Sequence, residues 1–294
     1  MNNYNLQINF NCGNYNCIYC GYKNCSNTKI SFDQIKKLVE KIPKDSSISL
    51  SGGEPTLRED FLEICELCKD HILHIQTTGE GLDENICKQL SEYNCSISLN
   101  FNSFNKLIYT KIANCSENSY YHALSTIINI AKYNIKFSCN TVINKLNIND
   151  IYYTFLLIKL INNSSRLNLI YPLLNNNSIN YACTFSELKP ILNNLCLNFQ
   201  SLLLIGFPLC VIPDYKKHIR ENNSYCLFTK DQIRNNKIIN KDLLYDSNLD
   251  FVSDKNNKIF IDICNQCVYK NNCEKLDVLY LNKFGTKEFN SITK

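Results

Sequence analysis

The chain has 294 residues, of which 45% are hydrophobic and 20% charged, so it can bury a core and is not an intrinsically disordered protein. Its 31 basic and 27 acidic residues give a net charge of +4 without a basic run, so we expect no nucleic-acid partner. The longest apolar stretch, residues 202–212, is too short to span a bilayer, so no membrane partner is expected either.

The unusual feature of the composition is a total of 17 cysteines. The first ten residues have neither the basic nor the apolar region of a signal peptide, so we expect a cytoplasmic protein. In that reducing compartment, thiols remain available for metal binding or catalysis. Spacing and context must therefore show which cysteines have a function.

Strand-like and helix-like segments alternate about six times through the first two-thirds of the chain. Short apolar runs predict strands at residues 6–10, 48–50, 72–76, 95–101, 136–143 and 167–173. Two capping boxes, Ser31 with Gln34 and Thr56 with Glu59, predict the starts of the first two helices. Further helices are expected at residues 83–90, 124–131 and 151–161. This repetition predicts an α/β fold with parallel strands, either a barrel or an open doubly wound sheet.

The alternation stops near residue 174. A loop, a helix at residues 186–197 and a cysteine-rich tail follow, and the last helix is expected to end at Gly285. We therefore divide the chain into a barrel domain of residues 1–200 and a small cysteine-rich domain of residues 201–294.

Four cysteines, Cys12, Cys17, Cys20 and Cys25, lie in the loop after the first strand. Loops at the carboxyl ends of parallel strands are where α/β barrels place their active sites. Thiolates in such a loop suit zinc or an iron–sulfur cluster. Four thiolates would close a structural zinc site, whereas three on a four-iron cluster leave one iron open for a ligand.

A glycine turn, Gly52-Gly53-Glu54-Pro55, directly follows the second strand. We expect the two glycines to let backbone amides and carbonyls approach a ligand closely, and Glu54 to accept from an ammonium group. The turn lies one β–α unit after the cysteine loop, so both are expected at the same edge of the sheet.

With Cys17-Ile18-Tyr19-Cys20 after strand one and Gly52-Gly53-Glu54-Pro55 after strand two, the chain resembles the radical SAM superfamily. Thr77-Thr78-Gly79 after strand three occupies the place of that family's polar turn. The resemblance implies a partial (β/α)6 TIM-type barrel. The family's usual spacing is Cys-x3-Cys-x2-Cys, whereas four residues separate Cys12 from Cys17, and Gly13 could absorb the extra one.

By resemblance, Cys12, Cys17 and Cys20 are the catalytic ligands of a [4Fe–4S] cluster whose open iron holds S-adenosylmethionine (SAM). Cys25 is an alternative source of the third thiolate. The glycine turn would hold the methionine amino end, and the Tyr19 backbone would meet the adenine. The other candidate cofactor-binding residues are Thr78, Ser98, Asn100 and Asn140.

A second motif, Cys264-x2-Cys267-x5-Cys273, precedes the last helix. Its spacing is typical of a metal or cluster site. It resembles the auxiliary-cluster extensions of radical SAM enzymes, called twitch or SPASM domains. We expect one auxiliary [4Fe–4S] cluster, with a fourth ligand from Cys210 or, as the alternative, from Cys226.

The resemblance implies an enzyme that reductively cleaves SAM to a 5′-deoxyadenosyl radical, which abstracts a hydrogen atom from the substrate. A flavodoxin- or ferredoxin-type reductant would supply the electron. The expected substrate is a ribosomally made peptide that becomes oxidised or crosslinked, although the barrel begins too early in the chain for a separate leader-binding domain before it.

Two alternatives remain. One is the oxidation or cyclisation of a small molecule in cofactor, sugar or antibiotic synthesis; a GTP cyclase is disfavoured because the tail lacks the expected paired glycines and arginines. The other is a protein without enzymatic activity, an iron–sulfur electron carrier or a zinc-binding protein. The glycine turn argues against the second alternative, because an electron carrier needs no cofactor cradle.

Overall fold

The protein is built around a parallel β-sheet whose strands alternate with helices. The computed structural model describes residues 3–20, 30–219, 225–226, 258–273 and 275–293. The sheet strands are β1 Asn3–Asn9, β2 Ser47–Gly52, β3 Ile72–Thr77, β4 Cys95–Asn100, β5 Lys136–Val142, β6 Arg166–Ile170 and β7 Leu202–Ile205. The helices between them are α1 Phe32–Val39, α2 Phe61–Leu67, α3 Glu84–Leu90, α4 Lys106–Ala113, α5 Glu117–Lys132, α6 Ile151–Ile161 and α7 Phe185–Asn198.

The strands follow one another across the sheet in the order β7-β6-β5-β4-β3-β2-β1, and a short strand β8, Tyr225–Cys226, pairs with the outer side of β1. All of these pairs are parallel. Since all of the strands are parallel, their carboxyl ends lie at one edge of the sheet. The predicted α/β class is confirmed, and the sheet extends past residue 200 to include β7.

The two faces of the sheet differ in polarity. In β4, Cys95, Ile97 and Leu99 are buried, and the intervening Ser96, Ser98 and Asn100 are only half-buried. The buried face belongs to the same apolar core as the helices. On the opposite face, polar side chains align in register from strand to strand. We call two such rows the polar rows: Gln76, Ser98, Ser138 and Arg166 in one, and Asn100, Asn140 and Asn168 in the other.

Two local features differ from the sequence-based expectations. The Ser31–Gln34 capping box is confirmed, but the box of Thr56 with Glu59 is wrong, because residues Pro55–Leu57 form a 3₁₀ turn and α2 begins after Asp60. The Thr56 hydroxyl donates to Glu54 at 2.7 Å instead of capping a helix. Helix α4 was not anticipated, although the Asn105 side chain caps its start.

The C-terminal extension packs against the start of α7. It contains a two-stranded hairpin of β9 Lys258–Ile259 and β10 Leu276–Asp277, followed by helix α8 Val278–Phe284, which ends at Gly285 as predicted. The Phe185 amide donates to the Tyr280 hydroxyl at 2.8 Å, and the two rings stack at 4.7 Å. Among the described residues, no helix is long and apolar enough to cross a membrane.

Candidate functional site

The cysteine loop after β1 is held against the end of α4. The amides of Asn16 and Ile18 donate to the carbonyls of Ala113 and Ile112, both at 3.0 Å. Within the loop, the Cys20 amide donates to the Cys17 carbonyl at 3.1 Å, which closes a tight turn. Cys12, Cys17 and Cys20 are half-buried and form no disulfide, whereas Cys25 lies outside the described residues.

The extra residue between Cys12 and Cys17 is accommodated by a glycine and a buried tyrosine. Gly13 has a φ of +58°, and a Cβ at this position would lie 2.7 Å from Leu57 Cδ1. Tyr15 is buried, and its hydroxyl lies 3.1 Å from that of Tyr109 and donates to the Ser119 carbonyl at 3.2 Å. The longer segment is therefore an ordered turn with its own anchor in the core.

The two glycines of the turn after β2 are required by the cysteine loop itself. The amides of Gly53 and Glu54 donate to the carbonyls of Asn9 at 2.6 Å and Asn11 at 2.7 Å. A Cβ on Gly52 would lie 2.1 Å from the Asn9 carbonyl oxygen, and one on Gly53 would lie 2.4 Å from that of Asn11. The glycines expected to let a ligand approach are therefore also needed for the close approach of Asn9 and Asn11.

The Glu54 carboxylate is fully buried and ties the turn after β2 to the turn after β3. Oε1 accepts from the Thr56 and Thr77 hydroxyls, each at 2.7 Å. Oε2 accepts from the Thr78 amide at 2.5 Å and the Thr78 hydroxyl at 2.6 Å. Both oxygens are thus engaged by the protein, and a contact between this carboxylate and an ammonium group would require these bonds to rearrange.

Tyr19 connects the cysteine loop to the end of β4. Its hydroxyl accepts from Asn102 Nδ2 at 2.9 Å, and it also hydrogen bonds the Cys17 thiol. Asn102 is itself buried and fixed, because its Oδ1 accepts from the Val142 amide at 2.9 Å. Sequence reasoning missed Asn102; the only available signal was its position just after a strand.

The three loop thiols lie close together in poorly solvated surroundings. Burial, followed by the nearby Cys20, raises the pKa of Cys12 to about 12, with a smaller contribution from Glu54. Burial and then Cys20 likewise raise the pKa of Cys17 to about 12. Such thiols hold their protons until a cationic metal centre is bound, because a bound metal deprotonates its thiol ligands.

The chemistry of the three thiols bears on the metal centre they could hold. Within the described ranges, no group of three His, Cys, Asp or Glu side chains is placed to hold one metal ion. A structural zinc site would take four such ligands. In a four-iron cluster each cysteine binds a different iron atom, and three neighbouring soft thiols suit such a cluster.

Most of the other predicted cofactor residues lie on the polar face of the sheet. Asn100 and Asn140 are in register in one polar row, and Ser98 lies in the other with its hydroxyl 2.6 Å from that of Ser138. Asn140 Oδ1 accepts from Asn168 Nδ2 at 2.8 Å. The Thr78 hydroxyl differs in being engaged by Glu54.

The structure brings the second group of cysteines together around one cavity. Its lining includes Cys210, Cys264, Cys267 and Cys273, with Phe260 and Phe289 among the apolar residues. Burial and then the charges of Cys273, Cys264 and Cys267 raise the pKa of Cys210 to about 12.

The other candidate for the fourth ligand, Cys226, is at the opposite edge of the sheet. Its backbone pairs with Asn5 in β1, and its side chain lies outside the described part of the protein. Cys210, in contrast, lies in the short turn after β7.

A further cavity lies at the carboxyl ends of β6 and β7. Tyr171, Gly206 and Pro208 line it from the sheet side. Lys275 and Leu276 line both this cavity and the one that contains the cysteines. A group bound in this cavity would therefore lie next to the second cysteine cluster.

A parallel sheet whose carboxyl edge carries a three-thiol loop against a glycine turn defines the class of α/β enzymes that work with a bound metal cluster. The family model of the radical SAM superfamily matches residues 10–158, half of the chain, and the chain belongs to this superfamily. Members of the superfamily are enzymes, and membership implies a [4Fe–4S] cluster and SAM as cofactors.

Curated relatives resemble only part of the chain. A 7,8-dihydro-6-hydroxymethylpterin dimethyltransferase of Methanocaldococcus jannaschii is 32% identical over 117 residues, 36% of this chain and 23% of that protein. A protein of the same organism, named as a glycyl-radical enzyme activating enzyme, is 32% identical over 130 residues, 42% of this chain and 49% of that protein. The matches thus span between about a quarter and a half of these relatives.

Solved structures resemble the whole chain in fold. Streptococcus suis SuiB bound to S-adenosylmethionine has a TM-score of 0.70 and 14% identity, covering 99% of this chain and 76% of that one. The enzyme anSMEcpe with bound AdoMet and the Cp18Cys peptide has a TM-score of 0.70 and 17% identity, covering 98% and 95%. SuiB is also known bound to its precursor peptide SuiA. The expected partial TIM-type barrel is confirmed by these matches.

Proposed function

We propose that this radical SAM enzyme oxidatively modifies or crosslinks a peptide and that it binds two [4Fe–4S] clusters. The observation that carries the proposal is the grouping of thiols at two places. Three lie in the loop after β1 against the glycine turn, and four surround the cavity beside the carboxyl ends of β6 and β7.

In this proposal, Cys12, Cys17 and Cys20 hold the first cluster, and the backbone of the glycine turn with Tyr19 borders SAM. When bound, the two groups together supply the abstraction of a hydrogen atom from the substrate. Ser98, Asn100 and Asn140 are the proposed contacts to SAM from the polar rows. Each can donate and accept hydrogen bonds, which suits a hydroxyl-bearing ribose.

The protein's own contribution is to fix the geometry of this site. The buried Glu54 holds two turns together, and Asn102 orients the Tyr19 hydroxyl toward Cys17. Because these side chains are held by packing and hydrogen bonds, they cost no reorganisation during the reaction.

The second proposed cluster is held by Cys210, Cys264, Cys267 and Cys273, in an auxiliary domain of residues 201–294 of the twitch or SPASM type. Its support is that Cys210 lines the same cavity as three cysteines that follow it by 54 or more positions in the sequence. A flavodoxin- or ferredoxin-type protein is the proposed reductant. We also propose that the enzyme works in the reducing cytoplasm, because the cysteines with described side chains form no disulfide.

A peptide substrate is favoured by the neutral character of the polar rows. Among the described side chains of these rows, only Arg166 carries a charge. Asn168 is 5% exposed, and its Oδ1 has no hydrogen-bond partner within the described protein, so it can accept from an N–H group of a ligand. A peptide offers such donors, whereas a nucleoside triphosphate would require cationic partners.

The peptide complexes of SuiB and anSMEcpe add support at the level of the fold. The second candidate function is oxidation or cyclisation of a neutral small molecule, which the same polar rows could also hold.

The decisive test of the proposed class uses anaerobically reconstituted protein. We expect about eight irons per chain, four for each cluster. Adding dithionite and SAM should then yield 5′-deoxyadenosine. An iron content of about four per chain would contradict the auxiliary cluster. A full iron content with no 5′-deoxyadenosine formed would contradict the proposed cleavage of SAM.

A further inference from the structure

A buried arginine joins the two ends of the cysteine loop. Arg58 is 4% exposed, and its Nη1 donates to the Ile8 carbonyl at 2.7 Å and to the Ile30 carbonyl at 2.8 Å. Ile8 lies in β1 just before the loop, and Ile30 is the first described residue beyond residues 21–29. A single nitrogen atom thus bonds the segments that enter and leave the loop.

The rest of the guanidinium group is fixed by a carboxylate. Arg58 Nε and Nη2 donate to the two oxygens of Asp60 at 2.7 Å and 2.6 Å. This two-point contact neutralises a charge that would be costly to bury alone and sets the plane of the guanidinium. Nη1 is therefore directed at the two carbonyls, an arrangement that the single nitrogen of lysine cannot reproduce.

We infer that Arg58 is a positioning residue for the first cluster: it holds both ends of the cysteine loop so that Cys12, Cys17 and Cys20 keep the spacing a cluster requires. The inference rests on the proposed cluster role of these three cysteines. The glycine turn holds the entry of the loop, through Asn9 and Asn11. Arg58 is the described side chain that bonds both the entry and the exit.

The test compares Arg58→Met, Arg58→Lys and Asp60→Asn with a control that loses a buried hydrogen bond elsewhere. The control is Thr154→Val on α6, because Thr154 is fully buried and its hydroxyl accepts from the Phe104 amide at 3.0 Å. Two readouts are taken from each protein. Hydrogen exchange of the Asn16 and Ile18 amides is measured without metal, and iron and the spectrum of the reduced clusters are measured after reconstitution.

For Arg58→Met we expect both loop amides to exchange about tenfold faster or more. The loop could then open locally without breaking the hydrogen bonds that Arg58 makes to its two ends. Iron should fall from about eight to about four per chain, with the spectrum of the auxiliary cluster retained. Arg58→Lys and Asp60→Asn should show exchange rates and iron contents between those of Arg58→Met and the wild type. Thr154→Val should lower the melting temperature but leave loop exchange and iron at the wild-type values.

Wild-type loop exchange and wild-type iron in the Arg58 variants would overturn the inference. If Arg58→Met does not fold, Arg58→Lys and Asp60→Asn decide the matter by the same two readouts. An equal loss of both clusters in every variant, the control included, would also contradict it. Failure of the proposed function is distinguishable, because then the wild-type protein itself would not assemble the first cluster.

Discussion

The Tyr19 hydroxyl accepts from Asn102 Nδ2 at 2.9 Å, and a hydrogen bond from the same side chain lowers the pKa of the Cys17 thiol against the larger effect of burial. This places a hydrogen-bond donor on a proposed cluster ligand, and such bonds are one of the factors that set the potential of an iron–sulfur cluster. The donor comes from the cysteine loop, but its orientation comes from the end of β4.

Replacing Tyr19 with phenylalanine should therefore leave the iron content unchanged and make the first cluster harder to reduce. A thiolate that loses a hydrogen bond carries more electron density, which disfavours adding an electron. A redox titration followed by the spectrum of the reduced cluster measures the midpoint potential. The matched control is Tyr15→Phe in the same loop, whose hydroxyl contacts Tyr109 and Ser119 instead of a ligand. Equal potentials in both variants would contradict this role.

A methyl group on Gly53 should separate the glycine turn from the cysteine loop. The added Cβ would lie 2.4 Å from the Asn11 carbonyl oxygen, so the backbone must shift. We expect Gly53→Ala to cost about 1–3 kcal/mol in the free energy of unfolding of the metal-free protein. The variant should also lose first-cluster iron. The control is Gly285→Ala, which strains a backbone at φ +76° but has no atom within 4 Å of the added Cβ. It should lose stability and keep first-cluster iron. Full first-cluster iron in Gly53→Ala, or an equal iron loss in Gly285→Ala, would be the contrary result.

Changing Glu54 to glutamine should weaken SAM binding more than it affects the cluster. The glutamine amide places donors against the hydroxyls and amide that now donate to the buried carboxylate. We expect the turn after β3 to shift and the Kd for SAM to rise about tenfold, which corresponds to about 1.4 kcal/mol. Equilibrium dialysis with reconstituted protein measures this. Glu80→Gln in the same turn, which keeps an acceptor for Asn14, should bind SAM normally.

Replacing one cysteine ligand of each cluster in turn should distinguish the roles of the two clusters. Cys267→Ala should retain about four irons and some SAM cleavage without product, since only the auxiliary cluster is affected. Cys20→Ala should also retain about four irons but cleave no SAM. Cys196→Ala removes a buried thiol of α7 and should keep full iron. Complete loss of cleavage in both cluster variants would indicate that the auxiliary cluster is structural.

The order of the elements could be predicted from the sequence because short apolar runs alternate with helical periodicity. Helix α6 is found at its predicted bounds, Ile151–Ile161. The spacing of Cys17 and Cys20 and the glycines after β2 also indicated the candidate site. These signals depend only on residues close together in the sequence, so folding does not change what they indicate.

The contacts that shape the site were beyond prediction because they depend on long-range approach. Arg58 bonds a carbonyl 50 positions away, and Asn102 contacts Tyr19 across 83 positions. The close approach of the Asn9 and Asn11 carbonyls to Gly52 and Gly53 could not be predicted either, because only the folded chain brings these segments together. The periodicity and spacing of residues in a single sequence do not indicate which distant residues come into contact.

The central claim is tested most directly by incubating anaerobically reconstituted protein with dithionite and SAM and measuring 5′-deoxyadenosine and methionine. The account predicts that the wild-type protein forms both in equal amounts and that Cys17→Ala forms neither. An iron-loaded wild-type protein that leaves SAM intact, or a Cys17→Ala variant that cleaves it at the wild-type rate, would contradict the account.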